Sequence, residues 1–599
     1  SFMSWALGTL GTFTRVQPGA SHSDGLSRNR QDHCANYQVG AAESRTYEFL
    51  VDASAGPTDA DSASILHLYN SHVGNDSLTI RGGGYDGFGA DASAGLIGPL
   101  IVTRKGAANA RGEPADVDRE FVVLMGVQDE NESPYLRKNV WDRIVSKQFG
   151  DDRPPGHLPF GPVSKEAALQ GLYTRASRTG DKLSFDEASR LIGEANAERR
   201  YVGEVRGVLL KLWFDKPHFE PRWYDAANGG MNTALTVMEA LWKESVDIND
   251  PEFRESNMMH SVNGYLYCTQ PALAMEQGDR VRWHMASVGG ADAVHTPHWH
   301  GNTVLNGGGR GDQLNLLAGT TQSVEMVAET LGTWMLHCHV NDHKKAGMVS
   351  FYGVHEGGGG GGGGGERGGA RARGELALRS TASAASACAV PAADGGGGAR
   401  LRTYYIQAEP AEWSYYDPAD ALAGVDRCAG GAPFSAQFSH YVRRATESNS
   451  LDRIGVTFTK TRYVQYTDET FTTRVAAPSW EGILGPTLRA AVGDTLVIVA
   501  RNALGFNVSV HAHGVQYTKG NEGAPYNDGT AGAQKDDDAI PPGGVHTYVY
   551  CVPESAGPGP ADGSSVVWLY HDHVHEVNGT NSGLIGWVPN CDTLHHIIK

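Results

Sequence analysis

Two stretches of the chain, 501 residues apart, align without a gap. Arg45–Val73 reads RTYEFLVDASAGPTDADSASILHLYNSHV, and His546–Val574 reads HTYVYCVPESAGPGPADGSSVVWLYHDHV. Thr46-Tyr47 matches Thr547-Tyr548, Ser54-Ala55-Gly56-Pro57 matches Ser555-Ala556-Gly557-Pro558, Tyr69 matches Tyr570, and His72 matches His573. A GLIG follows both, at Gly95–Gly98 and Gly583–Gly586. Matching of this extent makes the first and last parts of the chain copies of one domain. The middle part shares a shorter pattern with the last: EQGDRVRWHMA (Glu276–Ala286) precedes HTPHWHG (His295–Gly301), and AVGDTLVIVARN (Ala491–Asn502) precedes HAHG (His511–Gly514). Each is a Gly-Asp turn, an alternating strand, a loop and a His-rich strand. Short strands punctuated by Gly, Pro, Asn and Asp dominate all three parts, so the expected fold class is all-β, a tandem of β-sandwich domains.

One segment departs from this pattern. Between Arg143 and Ile248, Ser184-Phe185-Asp186-Glu187 forms a capping box, and Asn232–Glu244 carries apolar residues near helical spacing. It reads as a helical insertion in the middle domain, with an independent helical domain as the alternative. From 356 to 399 the chain is rich in Gly, Ala and Ser, with nine consecutive glycines at Gly357–Gly365, which reads as a flexible linker. The expected organisation is therefore 1–110, 111–355 with the insertion at about 143–248, the linker 356–399, and 400–599. Fifty basic residues stand against 68 acidic ones, a net charge of −18, which argues against nucleic-acid or anionic-membrane binding driven by charge. No run of about 18 apolar residues is present, so no membrane span is expected. The chain begins at Ser1 with no signal-peptide pattern, and its seven cysteines leave one over from any full pairing.

Four His-x-His pairs carry the chemistry: His298/His300, His337/His339, His511/His513 and His571/His573. Residues two apart on a strand share a face, so each pair aims two imidazoles at one point, as a metal requires. In HCHVNDHKKAGM (His337–Met348) the alternation sends Cys338 to the face opposite His337 and His339. Cys338, with His343, Met348 and His295, makes the His₂Cys set with an axial Met of a blue-copper electron-transfer site. A structural zinc site is the alternative, but the close Cys-x₂-Cys spacing it favours is absent. The eight imidazoles of the four pairs suit three further coppers with positions open to dioxygen, wired to Cys338 through its two neighbours.

These motifs resemble the multicopper oxidases, and more narrowly the ceruloplasmin–hephaestin branch of ferroxidases. The likeness extends to SAGLIGPLIVTRKG (Ser93–Gly106), REFVVLMGVQDENESPYL (Arg119–Leu136), ESNMMHSVNGYLY (Glu255–Tyr267) and YTDETFTTRVAAPSWEGILGPTLRAAVGDT (Tyr466–Thr495). The resemblance implies cupredoxin-like Greek-key domains and four coppers per complete site. It makes His295, Cys338, His343 and Met348 the type 1 ligands and His298 and His511 the type 2 ligands. His300, His337, His339, His513, His571 and His573 would hold the binuclear type 3 pair. The middle domain would be of the family's even type. The first and last would be of its odd type, the first truncated and without copper because Asn70 stands where His571 does in the last copy. His67 beside it reads as structural. The chain would be part of a longer ring, with a further even-type domain after Lys599.

The resemblance also implies an iron site of Glu255, His260 and Asp342, with Ala291 where the family has a fourth, glutamate ligand. It implies a Ca²⁺ site at Lys519 (carbonyl), Gln534, Asp537 and Asp538, against the alternative of a solvated acidic loop. It places Cys591 at a disulfide position whose usual partner is Ser565 here, leaving Cys551–Cys591 as the pairing on offer. The implied activity is oxidation of Fe²⁺ to Fe³⁺ with four-electron reduction of O₂ to water, in an extracellular, cell-surface or secretory setting. An iron permease or iron carrier is the implied partner. Sequons at Asn75, Asn131, Asn507 and Asn578 permit glycosylation. The rival readings are a laccase-like oxidase of phenols or amines with the same coppers, and a non-enzymatic scaffold.

Overall fold

The computed structural model describes residues 2–5, 14–15, 49–51, 54–71, 95–131, 250–271, 273–288, 294–356, 400–416, 418–433 and 454–591, with isolated residues between them. The expected helical insertion, the linker after Glu356, His72 and Ala291 lie outside the described residues.

The first part contributes β1 (Phe2–Trp5), β2 (Ser64–Ser71) and β3 (Ile97–Thr103), an antiparallel sheet in that order. The middle part runs β4 (Arg119–Asp129), α1 (Pro251–Glu255), β5 (Met258–Val262), β6 (Leu273–Glu276), β7 (Arg280–Val288) and β8 (Pro297–Trp299). It continues with β9 (Val304–Asn306), β10 (Gly309–Gly311), β11 (Thr321–Val327), β12 (Gly332–Cys338), α2 (Asn341–Lys345) and β13 (Val349–His355). These form a six-stranded sheet, β10-β9-β11-β7-β4-β5, and a four-stranded one, β8-β12-β13-β6. Asp129 of β4 lies opposite Met258 of β5, so the chain leaves and re-enters the sheet at one point around the segment expected to be helical.

Strand β7 is buried along nearly its whole length because both its faces are covered. Val281, Trp283 and Met285 face the core between the two sheets, where the Trp283 ring meets Trp299 edge-on at 5.7 Å. Ala286 and Val288 face the other way and pack on Leu66 and Leu68 of β2. The same outer face carries two polar side chains, and both are paired, as burial requires. Arg282 reaches Asp116 and Glu325 at 2.7 Å each, and His284 Nε2 lies 2.8 Å from Glu120.

The last part holds β14 (Leu401–Ser414), β15 (Thr457–Tyr466), β16 (Ala490–Ala491), β17 (Thr495–Asn502), β18 (His511–Ala512), β19 (Val545–Cys551), β20 (Ser565–His571), α3 (Glu576–Ser582) and β21 (Ile585–Cys591). They form two four-stranded sheets, β15-β14-β17-β19 and β16-β21-β20-β18. Leu496 and Ile498 of β17 and Tyr548 and Tyr550 of β19 share one core with Trp568 and Tyr570 of β20. The observed architecture is thus all-β, and the only helices assigned among the described residues are short.

Two expectations are corrected here. Cys591 is a free thiol, while Cys551 is in a disulfide whose partner lies outside the described residues, so the Cys551–Cys591 bond is not formed. The two cysteines end strands of different sheets, and the residue opposite Cys591 in the β20–β21 register is Ser565. Asn131 is 8% exposed, and its amide donates to Asp129 Oδ1 and to the Arg254 carbonyl, which leaves no room for a glycan. Asn507 and Asn578 are exposed. No helix among the described residues is long and apolar enough to cross a membrane.

Candidate metal centre

Strand pairing brings the His-x-His motifs together two by two. In β8–β12 His298 lies opposite His337, and in β18–β20 His511 lies opposite His571. The two sets then meet across the contact between the middle and last parts. The His298 and His513 rings stack at 4.0 Å, and those of His300 and His511 at 4.2 Å. Three all-histidine donor groups result, each with ligand atoms within 4.8 Å of one another: His298/His300/His511, His300/His337/His573 and His339/His513/His571, and a further group joins His298 and His513 to Asp312. All eight histidines expected at the trinuclear site therefore converge. The six expected at the type 3 pair fall into two groups of three, and the two expected at type 2 share the third with His300.

Second partners fix most of these rings. A carbonyl accepts from Nδ1 of His298 (Asp312, 3.0 Å), His337 (Cys338, 3.0 Å), His511 (Glu522, 2.7 Å) and His571 (Asp572, 2.9 Å). A ring that donates from Nδ1 keeps its lone pair on Nε2. Those Nε2 atoms point inward: His300 and His337 are 3.1 Å apart, His513 and His571 3.0 Å, and His339 and His513 3.3 Å. Nε2 of His298 and of His511 is buried with no hydrogen-bond partner at all. Buried, convergent and unpartnered imidazole nitrogens fit a metal ion that accepts nitrogen ligands. Burial pushes the rings of His298, His300, His337, His511, His513 and His573 well below the ordinary histidine range, and His571 down to about 4. They stay neutral, the state in which they ligate.

On the other face of β12, Cys338 Sγ lies 3.8 Å from His295 Nδ1 and 3.6 Å from His343 Nδ1, and the two nitrogens are 3.1 Å apart. The one-turn helix α2 delivers His343. Met348 is fully buried; its N–H donates to the His343 carbonyl and its carbonyl accepts from the Cys338 N–H. The Thr296 N–H donates to Sγ at 3.4 Å. Burial raises the Cys338 thiol, so a bound cation must offset the cost of forming the thiolate. The donor set of two Nδ1 atoms and a thiol, with a buried methionine next to it, fits copper.

Four polar side chains with no motif to announce them also line the cluster. Asp312 is buried beside His513 Nδ1 (3.1 Å), and burial pushes it up to about 8. Glu522 meets His300 Nδ1 at 2.7 Å. Lys344, next to His343 on α2, pairs with Glu576 of α3 and reaches His573 Nε2 at 3.0 Å. A charged side chain within four residues of an expected copper ligand is the only sequence signal for Lys344 and Glu576. Asp312 and Glu522 had none.

The remaining expected residues are gathered less tightly. The His260 ring sits 5.1 Å from the His343 ring. Burial lowers His260, while Glu255 and Asp342 are close enough to pull it the other way. Both carboxylates are exposed, and the three do not form a donor group within 4.8 Å. Asp250 caps α1 by accepting from the Phe253 N–H, which fixes the helix that ends on Glu255. At the expected Ca²⁺ loop, Asp537 Oδ2 accepts from the Gly523 N–H, but its buried Oδ1 has no partner, and burial pushes the group up to about 7. Asp538 pairs with Lys535 at 3.0 Å, Gln534 is exposed, and the Lys519 ammonium is held by Glu522 and Asp528. His67 Nε2 meets the Ala55 carbonyl at 3.0 Å, a structural contact.

Comparison with known proteins agrees with this geometry. Multicopper oxidase family models match residues 242–357 and 461–588, the two segments that carry the histidine motifs. The chain is 28% identical over 584 residues to "Ferroxidase HEPHL1" of Homo sapiens, covering 97% of this chain and 37% of that protein. It is 27% identical to "Hephaestin" of Mus musculus (97% and 37%) and to "Ceruloplasmin" of Homo sapiens (92% and 37%). The chain thus spans a little over a third of the length of these relatives. Type 1, type 2 and type 3 coppers are the family's cofactors, and the histidine groups found here are compatible with them. In the two matched segments the chain is similar to the multicopper oxidases, and over most of its length to their ceruloplasmin/hephaestin-like members.

Proposed function

We propose that this chain carries a complete copper site of a ferroxidase, oxidising Fe²⁺ to Fe³⁺ and reducing O₂ to water. Bound copper would supply the one-electron steps and the reduction of O₂. His295, Cys338, His343 and Met348 would hold the type 1 ion, and the eight paired histidines the other three. Cys338 is joined by single peptide units to His337 and His339, the shortest covalent route between the two sites. Burial of seven of the eight rings, with His339 half-buried, limits bulk water and keeps them neutral.

The observation that carries the iron reading is the position of His343. Its Nδ1 lies 3.6 Å from Cys338 Sγ, and its ring centroid lies 5.1 Å from that of His260. A cation held by His260, Glu255 and Asp342 would lie one imidazole away from the thiolate. Exposed carboxylates bind hard cations and favour the ferric product, and their exposure lets Fe³⁺ leave. The unpartnered Asp537 Oδ1 supports a Ca²⁺ at Lys519, Gln534, Asp537 and Asp538. Likeness to ceruloplasmin and hephaestin supports an extracellular or cell-surface setting and a partner that hands over or takes up iron.

The test is a ratio of substrates. Glu255→Ala should lower kcat/KM for Fe²⁺ by about tenfold or more, the loss of one charged ligand interaction of ~1.4 kcal/mol. Phenylenediamine turnover and the blue absorbance should stay within twofold, roughly the scatter of an uninvolved surface change. Equal losses on both substrates would favour the laccase-like reading.

A further inference from the structure

His300 and His511 come from opposite halves of the cluster, yet the Nδ1 atoms of both rings end on one residue. His300 Nδ1 lies 2.7 Å from Glu522 Oε1, and His511 Nδ1 lies 2.7 Å from the Glu522 carbonyl oxygen. A carboxylate and a carbonyl can only accept, so both rings carry their proton on Nδ1 and present Nε2 to the centre. The inner side agrees: His511 Nε2 is buried and unpartnered, and His300 Nε2 faces His337 Nε2.

Glu522 is itself pinned. It is 1% exposed; the Tyr526 hydroxyl donates to Oε1 at 2.7 Å, and the Lys519 ammonium pairs with Oε2. The next peptide is held as firmly. The Gly523 N–H donates to Asp537 at 2.8 Å, at φ +71°, and a Cβ on Gly523 would stand 2.4 Å from the Val510 carbonyl. Only glycine lets the backbone turn there with the Glu522 carbonyl aimed at His511.

We propose that Glu522 is a positioning residue that sets the proton-bearing nitrogen and the ring orientation of one cluster histidine from each half, joining the two halves into one metal site. The inference rests on the copper reading above. In Glu522→Leu the Nδ1–H of His300 loses its acceptor, while the Tyr526 hydroxyl keeps the Thr333 carbonyl, the Lys519 ammonium keeps Asp528, and the carbonyl to His511 remains. Losing such an outer partner weakens metal affinity about 10–100-fold.

The experiment is chelator competition on the purified chain, with the blue type 1 absorbance and the type 2 paramagnetic signal followed separately. Glu522→Leu should lose cluster copper about 10–100-fold more readily with the blue absorbance intact, and Glu522→Gln, which keeps an acceptor oxygen, should recover most of the loss. Unchanged cluster affinity, or equal weakening of the type 1 and cluster sites, overturns the proposal. Should Glu522→Leu fail to fold, nitrogen-15 imidazole spectra of the metal-free parent chain decide: both His300 and His511 must be Nδ1–H tautomers, and an Nε2–H form of either refutes it. A parent chain that binds no cluster copper refutes instead the copper reading itself.

Discussion

The first and last parts of the chain hold the same hairpin with different contents. In β2–β3 Tyr69 lies opposite Gly98 and Asn70 opposite Ile97; in β20–β21 Tyr570 lies opposite Gly586 and His571 opposite Ile585. The registers coincide residue for residue. What differs is the strand on the other edge. Beside β20 runs β18, which sets His511 against His571; beside β2 runs β1, which sets Met3 against Asn70. A hairpin of this kind is therefore a scaffold, and what separates the two copies is one side chain on it and a His-bearing neighbour. The largest expected effect is to write the first copy's residue into the last. His571→Asn removes one of three donors from the His339/His513/His571 group. Cluster copper should be lost by more than the about 10–100-fold that an outer partner is worth, with O₂ consumption abolished and the blue absorbance kept. The reverse change, Asn70→His, should add no copper per chain, because β1 brings no second His-x-His. Copper bound at the first copy after that single change would show that the neighbouring strand is dispensable.

The next effect is acid sensitivity, which should belong to the site and not to the first copy. The folded pKa of His571 is held down to about 4 by burial, against about 6.5 for an unfolded histidine. At falling pH the unfolded chain takes up the proton first, so this contribution to stability is present above about 6.5 and lost between about 6.5 and 4. At ~1.36 kcal/mol per unit, one such ring costs about 2 kcal/mol by pH 5. The metal-free chain should lose urea resistance steeply between pH 7 and 5. His571→Asn should flatten that loss by about the same 2 kcal/mol. Identical pH profiles for the variant and its parent would mean the ring is not protected in the fold.

The proposed copper donors were legible in the sequence because they depend on two regular devices. Strand periodicity puts His337 and His339 on one face and Cys338 on the other, and the repeat gives the order of the domains. The second partners escaped it for a physical reason. Asp312 and Glu522 reach their histidines from loops whose path no periodicity encodes, and Glu522 meets His300 from 222 positions away in sequence. The disulfide expectation failed similarly: Cys551 and Cys591 end strands of different sheets, a distinction that a spacing cannot express. Asn131 satisfied its sequon but spends its amide on Asp129 and Arg254, a contact invisible until β4 and α1 are folded together.

The smallest effect separates scaffold from packing. In both copies the tyrosine ring lies on the glycine opposite, and a Cβ would stand 2.4 Å from the ring's Cζ at Gly98 and equally at Gly586. The clash is the same, but the freedom to relieve it is not. Tyr570 is fully buried, packs against Tyr463 and donates its hydroxyl to the Pro486 carbonyl at 2.8 Å. Tyr69 is 40% exposed. Gly586→Ala should therefore cost about 1–3 kcal/mol, the usual range for overpacking a closed core. Gly98→Ala should cost about 0.5 kcal/mol or less, as a surface change does. Urea unfolding of the two variants measures the difference. Equal costs would mean that the first copy packs its tyrosine as tightly as the last, and that the rest of the hairpin is under the same constraint in both.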